Sequence, residues 1–356
     1  MEIKFANRTV GDGHPCFVTF EIGPTHNGFD SAKRLIDHAA KAGADAVKFQ
    51  IIDPDRLVAD HSIMFEYDIL IDKDTGETET VQEPLYDLIK RRSLSDGEWK
   101  DLKKYADSIG MVFFATIGFP EEIALLEEIG CESIKIASSD VNHHPLIRQV
   151  AKTGMCIQLD TGNSTLGEIE AAVDIIRSEG NENIIIHHCP SGYPARLDGI
   201  NLNIITTLKQ LFDYPIAFSD HTPGWEMDIA AITLGANLVE KTITEDRATR
   251  SVEHIFSLEP DQMVKFVSVV KNLQRVLGQK RRILQKAEID KRTAMRRSIY
   301  LDENGKKGTK IEDLKISFRR PGYGISPVEY EKIGKFELKA DLPAGHMLEI
   351  TDLARS

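Results

Sequence analysis

The sequence predicts an α/β protein: a (β/α)8 TIM barrel followed by a small β-rich domain. Eight apolar runs rich in β-branched residues recur along its first three quarters, and segments with helical periodicity separate them. A strand and helix that alternate in this way indicate a parallel sheet, and eight repeats are the number that closes such a sheet into a barrel. The runs are residues 16–23, 46–51, 112–117, 133–138, 156–162, 184–189, 216–221 and 238–244.

The segments between the runs carry start and stop signals of helices. Ser95 precedes Glu98, and Thr165 precedes Glu168, at the spacing of a capping box in which a hydroxyl and a carboxylate satisfy exposed backbone amides. Proline and glycine stand where helices tolerate them, at the predicted starts Pro120 and Pro260 and the predicted ends Gly43, Gly130, Gly180 and Gly278.

Two loops are longer than a minimal barrel needs. Residues 53–83, after the second run, contain Phe65, Tyr67 and a turn-prone stretch at 72–76, which together predict a hairpin over the strand ends and favour a substrate cover. Residues 245–256, after the eighth run, are rich in charge. A solvated loop and a substrate-contacting loop both fit that composition, and the position beside the strand ends favours contact.

Composition limits the function classes. The formal net charge is −12 over 356 residues, which argues against binding to nucleic acid. The four cysteines, at 16, 131, 156 and 189, lack the spacing of a zinc site and are predicted to be buried reduced thiols. Residues 1–10 resemble no signal peptide, and no apolar stretch has membrane length. We therefore expect a cytoplasmic protein with no membrane partner.

Three parts are predicted along the chain: a barrel domain at 1–279, a linker at 280–297 and a second domain at 298–356. The linker is basic, and in an acidic chain it is interpreted as a connector or a subunit contact. The last part changes to short strands that glycine and proline interrupt, which predicts a compact β domain.

Polar side chains stand at or near the ends of the predicted strands. In (β/α)8 barrels the catalytic site forms where the strands end, so we expect these side chains to converge. Two lysines among hydroxyl groups favour an anion site over simple ion pairs. The residues are Glu21, Lys48, Gln50, Thr116, Lys135, Ser138, Asp160, Ser191, Ser219, His221 and Glu240.

Short motifs follow one another along almost the whole chain. They are Glu-Ile-Gly-Pro-Thr-His-Asn-Gly at 21–28, Gly-Ala-Asp-Ala-Val-Lys-Phe-Gln at 43–50, Lys-Ile-Ala-Ser at 135–138, His-Cys at 188–189 with Tyr-Pro at 193–194, Phe-Ser-Asp-His-Thr at 218–222 and Ser-Leu-Glu-Pro at 257–260. Together they resemble the sialic acid synthase family. Arg-Arg-Pro-Gly at 319–322, with Gly324, is similar to the antifreeze-like (SAF) domain of that family.

The resemblance implies a synthase that condenses phosphoenolpyruvate with an open-chain N-acylated amino-sugar aldehyde, such as N-acetylmannosamine. The products are a nine-carbon 2-keto-3-deoxy acid and phosphate. Because phosphoenolpyruvate carries a phosphate and a carboxylate, its pocket needs cations and hydroxyl groups. The resemblance implies that Lys48, Gln50, Thr116, Lys135 and Ser138 bind it, and Ser139 and Ser219 add hydroxyl groups.

Glu21 matches the catalytic glutamate of the family. Carbon–carbon bond formation leaves positive character at C2 of the former enol, which a carboxylate can stabilise while it accepts a proton from the attacking water. A capping or ion-paired carboxylate is the alternative interpretation of Glu21. Tyr193, Glu240 and Glu253 are expected to meet sugar hydroxyls. Arg320 matches an arginine that reaches the partner's barrel in the family, which implies a domain-swapped homodimer.

The metal site departs from the family pattern. The resemblance implies a divalent metal, manganese or magnesium, held by two histidines; His221 matches the first, but Thr242 occupies the place of the second. A neutral hydroxyl is a poor ligand for a transition metal. Three outcomes stay open: weak binding through water, a substitute ligand from His188, His26 or Asp220, or activation of the aldehyde without metal.

Two further departures lie on the fifth and sixth runs. Asp160 stands where relatives place a serine near the phosphate, and a carboxylate there repels an anion unless it is protonated or paired with Lys135 or a metal. Pro-Ser-Gly at 190–192 replaces another family motif, in which Ser191 retains a hydroxyl for binding.

Two other classes of protein stay open. A Schiff-base aldolase would use Lys135 or Lys48 as its nucleophile. A noncatalytic carbohydrate-binding protein would follow if the missing histidine marks loss of activity.

Overall fold

The computed structural model describes residues 1–6 and 8–355, except for the side chain of residue 274. The chain forms two compact units, Met1–Gly278 and Gln279–Ser356. The strands are β1 Ile3–Phe5, β2 Arg8–Val10, β3 Phe17–Glu21, β4 Ala46–Ile51, β5 Met64–Leu70, β6 Thr78–Pro84, β7 Val112–Ile117, β8 Ser133–Ile136, β9 Cys156–Asp160, β10 Ile184–His188, β11 Ile216–Asp220, β12 Leu238–Thr242, β13 Ser298–Leu301, β14 Ile316–Arg319, β15 Glu337–Leu338 and β16 Leu353–Ala354.

The α-helices alternate with the strands of the first unit and are sparse in the second. They are α1 Phe29–Ala42, α2 Pro54–Leu57, α3 Leu85–Lys90, α4 Asp96–Ser108, α5 Pro120–Glu128, α6 His144–Lys152, α7 Leu166–Ser178, α8 Asn203–Leu211, α9 Glu226–Leu234, α10 Pro260–Leu277, α11 Lys286–Met295 and α12 Pro327–Ile333. None of those in the described part of the chain combines the length and apolarity that crossing a bilayer requires.

Eight parallel strands close into a barrel in the order β3, β4, β7, β8, β9, β10, β11, β12 and back to β3. The register pairs Glu21 with Lys48 on one side and with Thr242 on the other, so these three residues lie at one level of the barrel. The predicted barrel is confirmed. Several strands end one or two residues before the predicted limits because the chain turns into its loops, as at the 3₁₀ turn Ser138–Asp140 that follows β8.

The helices pack on the barrel through the apolar faces that their sequences predict. In α1, Leu35, Ile36 and Ala39 are fully buried, and Gly43 ends the helix with a φ of 80°. The predicted capping boxes at Ser95 and Thr165 both form. The four cysteines are buried and unpaired, as predicted.

An apolar plug closes the amino-terminal end of the barrel. The hairpin of β1 and β2 packs Ile3 and Phe5 in one cluster with Phe17 and Phe114 of the barrel. The Phe5 ring centroid lies 5.3 Å from that of Phe17 and 5.5 Å from that of Phe114. Only the opposite end, where the strands finish, is lined by the charged residues described below.

The two long loops pack together beside the strand ends. Strands β5 and β6 form the predicted antiparallel hairpin, in which Tyr67 pairs with Val81. Tyr67, Val81 and Leu88 form a small buried cluster with Val252, which belongs to the loop after β12. The hairpin and that loop therefore build one wall of the site.

The second unit has a core of its own. Helix α11 occupies much of the segment 280–297, which the sequence predicts as a linker. Two antiparallel pairs, β13 with β14 and β15 with β16, follow it. Their core includes Ile299, Leu301, Ile311, Leu338 and Leu348.

Candidate active site

A cavity of about 340 Å³ opens among the carboxyl ends of the barrel strands. Its inner wall is polar and charged, and its outer wall includes apolar residues of the hairpin and of helix α3, among them Phe65, Leu85 and Leu88. The structure brings many of the predicted site residues to this cavity. Those that line it are Glu21, Lys48, Gln50, Thr116, Ser138, Ser139, Asp160, Tyr193, His221, Glu240 and Glu253.

Two buried lysines and three carboxylates form an ion-pair network at the base of the cavity. Lys48 contacts Glu21 and lies 2.7 Å from Glu240 Oε1. Lys135 Nζ lies 2.7 Å and 2.8 Å from the two oxygens of Glu240, and 3.0 Å from Asp160 Oδ2. Each lysine is therefore already neutralised by carboxylates in the free protein.

Burial and pairing set the protonation of this network. Burial alone raises the pKa of Glu240, but Lys135 and Lys48 outweigh it and hold that pKa well below the ordinary range. Burial opposes charge on Lys48 too, yet Glu21 and Glu240 raise its pKa well above the ordinary value. Burial raises the pKa of Glu21, against the lowering effect of Lys48. Of the two carboxylates that contact Lys48, Glu21 is thus the one that protonates first.

A second layer of hydrogen bonds lies below the ion pairs. Ser219 Oγ lies 3.1 Å from Lys135 Nζ, 3.0 Å from Asp160 Oδ1 and 2.9 Å from His187 Nδ1. His187 Nε2 in turn lies 2.9 Å from Gln158 Oε1. Burial, and next Lys135, lower the pKa of His187 to about 3, so that its imidazole is neutral. Neither His187 nor Gln158 was predicted from the sequence to have a role in the site.

Strand periodicity was the signal that could have found His187. Side chains alternate along a strand, so His187 and His188 must face opposite sides of β10. The run Ile184–His188 is buried along its whole length and begins with three isoleucines, so its sequence does not indicate which of the two histidines faces the interior of the barrel. In the structure His187 points into the barrel, whereas His188 Nε2 lies 2.6 Å from the Ile200 carbonyl.

Close backbone approach at Gly162 positions Ser138. The Gly162 N–H donates to Ser138 Oγ at 3.0 Å. A Cβ on Gly162 would lie 2.7 Å from that same oxygen and 2.7 Å from the Cys189 carbonyl oxygen, which leaves no room for a side chain. Glycine therefore allows β9 and the turn after β8 to meet at the cavity.

Similarity to known proteins agrees with this geometry. Residues 35–282 match the NeuB family. The chain belongs to that family. Its sequence is 35% identical to an uncharacterized protein of Methanocaldococcus jannaschii, MJ1065, over 99% of this chain and 98% of that one. It is 32% identical to the N,N'-diacetyllegionaminic acid synthase of Legionella pneumophila, over 95% and 94% of the two chains.

A solved structure extends the similarity to the fold. The N-acetylneuraminic acid (sialic acid) synthetase of Leptospira borgpetersenii, crystallised in complex with citrate, superposes with a TM-score of 0.71 at 30% identity. The match covers 82% of this chain and 95% of that one. The resemblance to sialic acid synthases in the sequence is thereby confirmed at the level of the NeuB family.

Ser191 does not line the cavity of this NeuB family member, and the role predicted for Arg320 is not tested by the structure. Ser191 is exposed and donates to Asn163 Oδ1 at 2.9 Å, and it is Asn163 that lines the cavity. Arg320 lies in the second unit, is exposed, and has no ion pair within residues 1–6 and 8–355. The domain-swapped role of Arg320 stays a prediction.

The donors near His221 do not form a metal site of the family type. His221 Nδ1 lies 3.1 Å from the Pro190 carbonyl, and its ring lines the cavity. Thr242, in the place of the second histidine, donates to Glu253 Oε2 at 3.3 Å. Across the part of the chain that the structure describes, no group of three or more His, Cys, Asp or Glu side chains is placed to hold an ion. We therefore derive no step through a metal.

None of the substitute ligands that the sequence left open lines this cavity. His188 faces the Ile200 carbonyl, away from the ion pairs. The His26 ring packs edge-on against Phe49 and Trp99. Asp220 accepts from the Thr222 hydroxyl at 2.8 Å. Like His188 and His26, Asp220 does not line the cavity.

Proposed function

We propose that this chain is a nonulosonic acid synthase that condenses phosphoenolpyruvate with an N-acylated amino-sugar aldehyde. Two of the relatives reported above are an N,N'-diacetyllegionaminic acid synthase and an N-acetylneuraminic acid synthetase, which supports an enzyme that makes a nonulosonic acid. The observation that carries the proposal is the placement of Glu21 beside Lys48 at the base of the cavity, where Glu240 joins Lys48 to Lys135.

The proposed reaction needs an anion site with a carboxylate directly beside it. Carbon C3 of phosphoenolpyruvate attacks the aldehyde carbon, whose oxygen takes up a proton, and C2 becomes electron-poor. Water adds at C2 and gives one proton to a base. The bond from C2 to the phosphate-bearing oxygen then breaks, phosphate leaves, and the new C2 hydroxyl loses its remaining proton to become the ketone. Lys48, Lys135, Thr116 and Ser138 supply the cations and hydroxyl groups that hold the substrate. Glu21 supplies the carboxylate that faces C2 and accepts the proton.

Binding of such an anion must rearrange the network. Glu240 and Asp160 occupy the donors of Lys135 in the free protein. A bound phosphate or carboxylate would compete for these ammonium protons, since charge-assisted hydrogen bonds to either anion are of similar kind. Glu240 would then be released towards the acceptor hydroxyls, which agrees with its predicted contact to the sugar.

The competing aldolase requires an uncharged lysine. A Schiff-base nucleophile must lose its proton, which a lowered pKa favours. The pKa of Lys48 is instead raised by Glu21 and Glu240 against the effect of burial. Lys135 donates hydrogen bonds to Glu240 and Ser219 and lies beside Asp160, so its nitrogen is not free to attack a carbonyl. These pairings favour the synthase over the aldolase.

The test is release of phosphate from phosphoenolpyruvate with a panel of N-acylated mannosamines and bacillosamine-derived sugars. Each reaction is run with a chelator and then with added manganese. Phosphate release that depends on the sugar supports the proposal. Release that continues in the presence of the chelator indicates that the aldehyde is activated without a metal. The same release is measured with Glu21→Gln, which should be slower than the wild type. Glu128→Gln, on the exposed side of α5, is its control and should release phosphate as the wild type does. Trapping of a pyruvate adduct by borohydride would instead indicate the aldolase, and sugar binding without release a noncatalytic protein.

A further inference from the structure

Arg92, just after helix α3, is a partly buried cation in the wall of the cavity. Among the described residues its guanidinium makes one hydrogen bond, to Ser251 Oγ at 3.2 Å, and no carboxylate lies within 4.0 Å of it. The preceding residue, Arg91, differs sharply. It makes a bidentate pair with Glu83, with both N–O distances 2.7 Å.

The other cations of the cavity are compensated. Lys48 pairs with Glu21 and Glu240, and Lys135 pairs with Glu240 and Asp160. Arg92 is thus the one cation at this cavity, within the described chain, without a paired carboxylate. Glu253 acts on Arg92 through its charge without pairing with it, and the planar set of donors of the guanidinium, left with no paired carboxylate, matches a phosphate or a carboxylate. The position therefore fits an anionic group of a ligand.

Arg92 also borders a second, adjoining cavity of about 110 Å³. This second cavity contains the side chains of Ser251, Thr249, Asn27 and Arg250, and none of the residues that line it is a carboxylate. Arg250 is exposed and has no hydrogen bond or ion pair in the described part of the chain. In a protein with a net charge of −12, two unpaired arginines beside hydroxyl and amide groups make a locally positive space.

We infer that Arg92 binds an anionic group, a phosphate or a carboxylate, at the end of the acceptor sugar farthest from its aldehyde. This inference rests on the proposed synthase function. The group would extend from the main cavity past Arg92 towards Arg250 and Ser251. A guanidinium can donate two parallel hydrogen bonds to either anion, so Arg92 would select acceptors that carry one.

The position of Arg92 favours the acceptor over phosphoenolpyruvate as the source of the anion. The lysines that suit phosphoenolpyruvate come from β4 and β8 inside the barrel. Arg92 comes from the outer wall, where Leu88 and Val252 line the same cavity. Because the aldehyde must reach C3 of phosphoenolpyruvate at the inner wall, the other end of the sugar points outward.

Three acceptors test the inference: N-acetylmannosamine, its 6-phosphate and its C6 carboxylate analogue. We expect the wild-type protein to prefer one of the two anionic sugars over the neutral sugar by about 10- to 150-fold in kcat/KM, the range for a charge-assisted hydrogen bond. Which of the two is preferred identifies the anion. Arg92→Leu should remove this preference, and Arg92→Lys should retain part of it. Arg196→Leu, whose side chain is 86% exposed, is the control and should keep the preference.

Two outcomes overturn the inference while the synthase function stands. One is equal use of the three sugars by the wild-type protein, and the other is an Arg92→Leu variant altered only in its KM for phosphoenolpyruvate. If no sugar supports phosphate release, the proposed function fails, and calorimetric binding of the same sugars still decides the inference. Tighter binding of an anionic sugar to the wild type than to Arg92→Leu supports it, and equal binding overturns it.

Discussion

His187 Nδ1 lies 2.9 Å from Ser219 Oγ, and the hydrogen bonds behind His187 indicate which of its ring nitrogens carries the proton. The Ser133 hydroxyl donates to the Cys156 carbonyl at 2.9 Å, so its oxygen accepts from Gln158 Nε2 at 3.1 Å. The amide oxygen of Gln158 then faces His187 Nε2, which must carry the proton. Nδ1 is left without a proton, and it competes with Asp160 Oδ1, to which the Ser219 hydroxyl donates at 3.0 Å, for the single hydrogen of that hydroxyl.

This position of the proton leads to a prediction about the tautomer of His187. ¹⁵N NMR of the labelled protein should show a neutral imidazole protonated at Nε2 and unchanged from pH 5 to pH 9, because its pKa is lowered to about 3 by burial and by Lys135. Gln158→Leu removes the acceptor that holds the proton at Nε2 and should change the tautomer. A cationic ring at pH 7, or an Nδ1–H tautomer in the wild type, would contradict the hydrogen-bond assignment.

Glu253 is predicted to make stability depend on pH. Burial, and then the charge of Glu21, raise the pKa of Glu253 to about 7. The pKa of Glu253 is higher in the folded than in the unfolded chain. The stability that this difference contributes to the folded protein is therefore complete below the unfolded value near 4.5, and it is lost as pH rises through about 7. Glu253→Gln should match the wild type at pH 5 or below and be more stable at pH 8, by about 1–2 kcal/mol for this partly exposed group.

Urea unfolding at the two pH values measures this difference. Glu128→Gln, an exposed carboxyl of α5, is the matched control and should show little change with pH. If the stability of Glu253→Gln relative to the wild type is the same at pH 8 as at pH 5, the pKa of Glu253 is not raised in the folded protein.

The barrel and much of its site could be predicted because both depend on local patterns. Strand ends such as those carrying Glu21 and Lys48 follow from strand periodicity, and the parallel topology brings them together. Contacts between residues that are far apart in the sequence are harder to predict from it. Lys135 contacts Glu240 because barrel closure brings β8 and β12 to one interior, and the lack of a paired carboxylate at Arg92 among the described residues depends on packing between loops; the spacing of residues encodes neither. Ser191 carries a suitable hydroxyl but faces Asn163, because the turn after β10 carries it out of the cavity.

Glu21 is predicted to govern the pH dependence of turnover. The carboxylate must be ionised to accept a proton from water, and burial raises its pKa against the effect of Lys48. The rate of phosphate release should therefore increase with pH through an apparent pKa above the ordinary value of 4.5. Glu21→Gln should lower kcat by about 10²- to 10⁴-fold, the usual share of general base catalysis, and remove this limb of the profile. A variant that keeps both the rate and the limb would assign the base to another group.

Gly162→Ala is predicted to disturb the phosphoenolpyruvate site rather than the barrel as a whole. The added Cβ would approach Ser138 Oγ and the Cys189 carbonyl to 2.7 Å, so Ser138 must move away from the cavity or β9 must shift. We expect the KM for phosphoenolpyruvate to rise more than the KM for the sugar, with a loss of about 1–3 kcal/mol in the free energy of unfolding. Gly167→Ala, an exposed helical position with open space around its Cβ, is the control, and should gain up to about 1 kcal/mol from helix propensity. Equal effects of Gly162→Ala on both KM values would mean that Ser138 has no separate part in binding phosphoenolpyruvate.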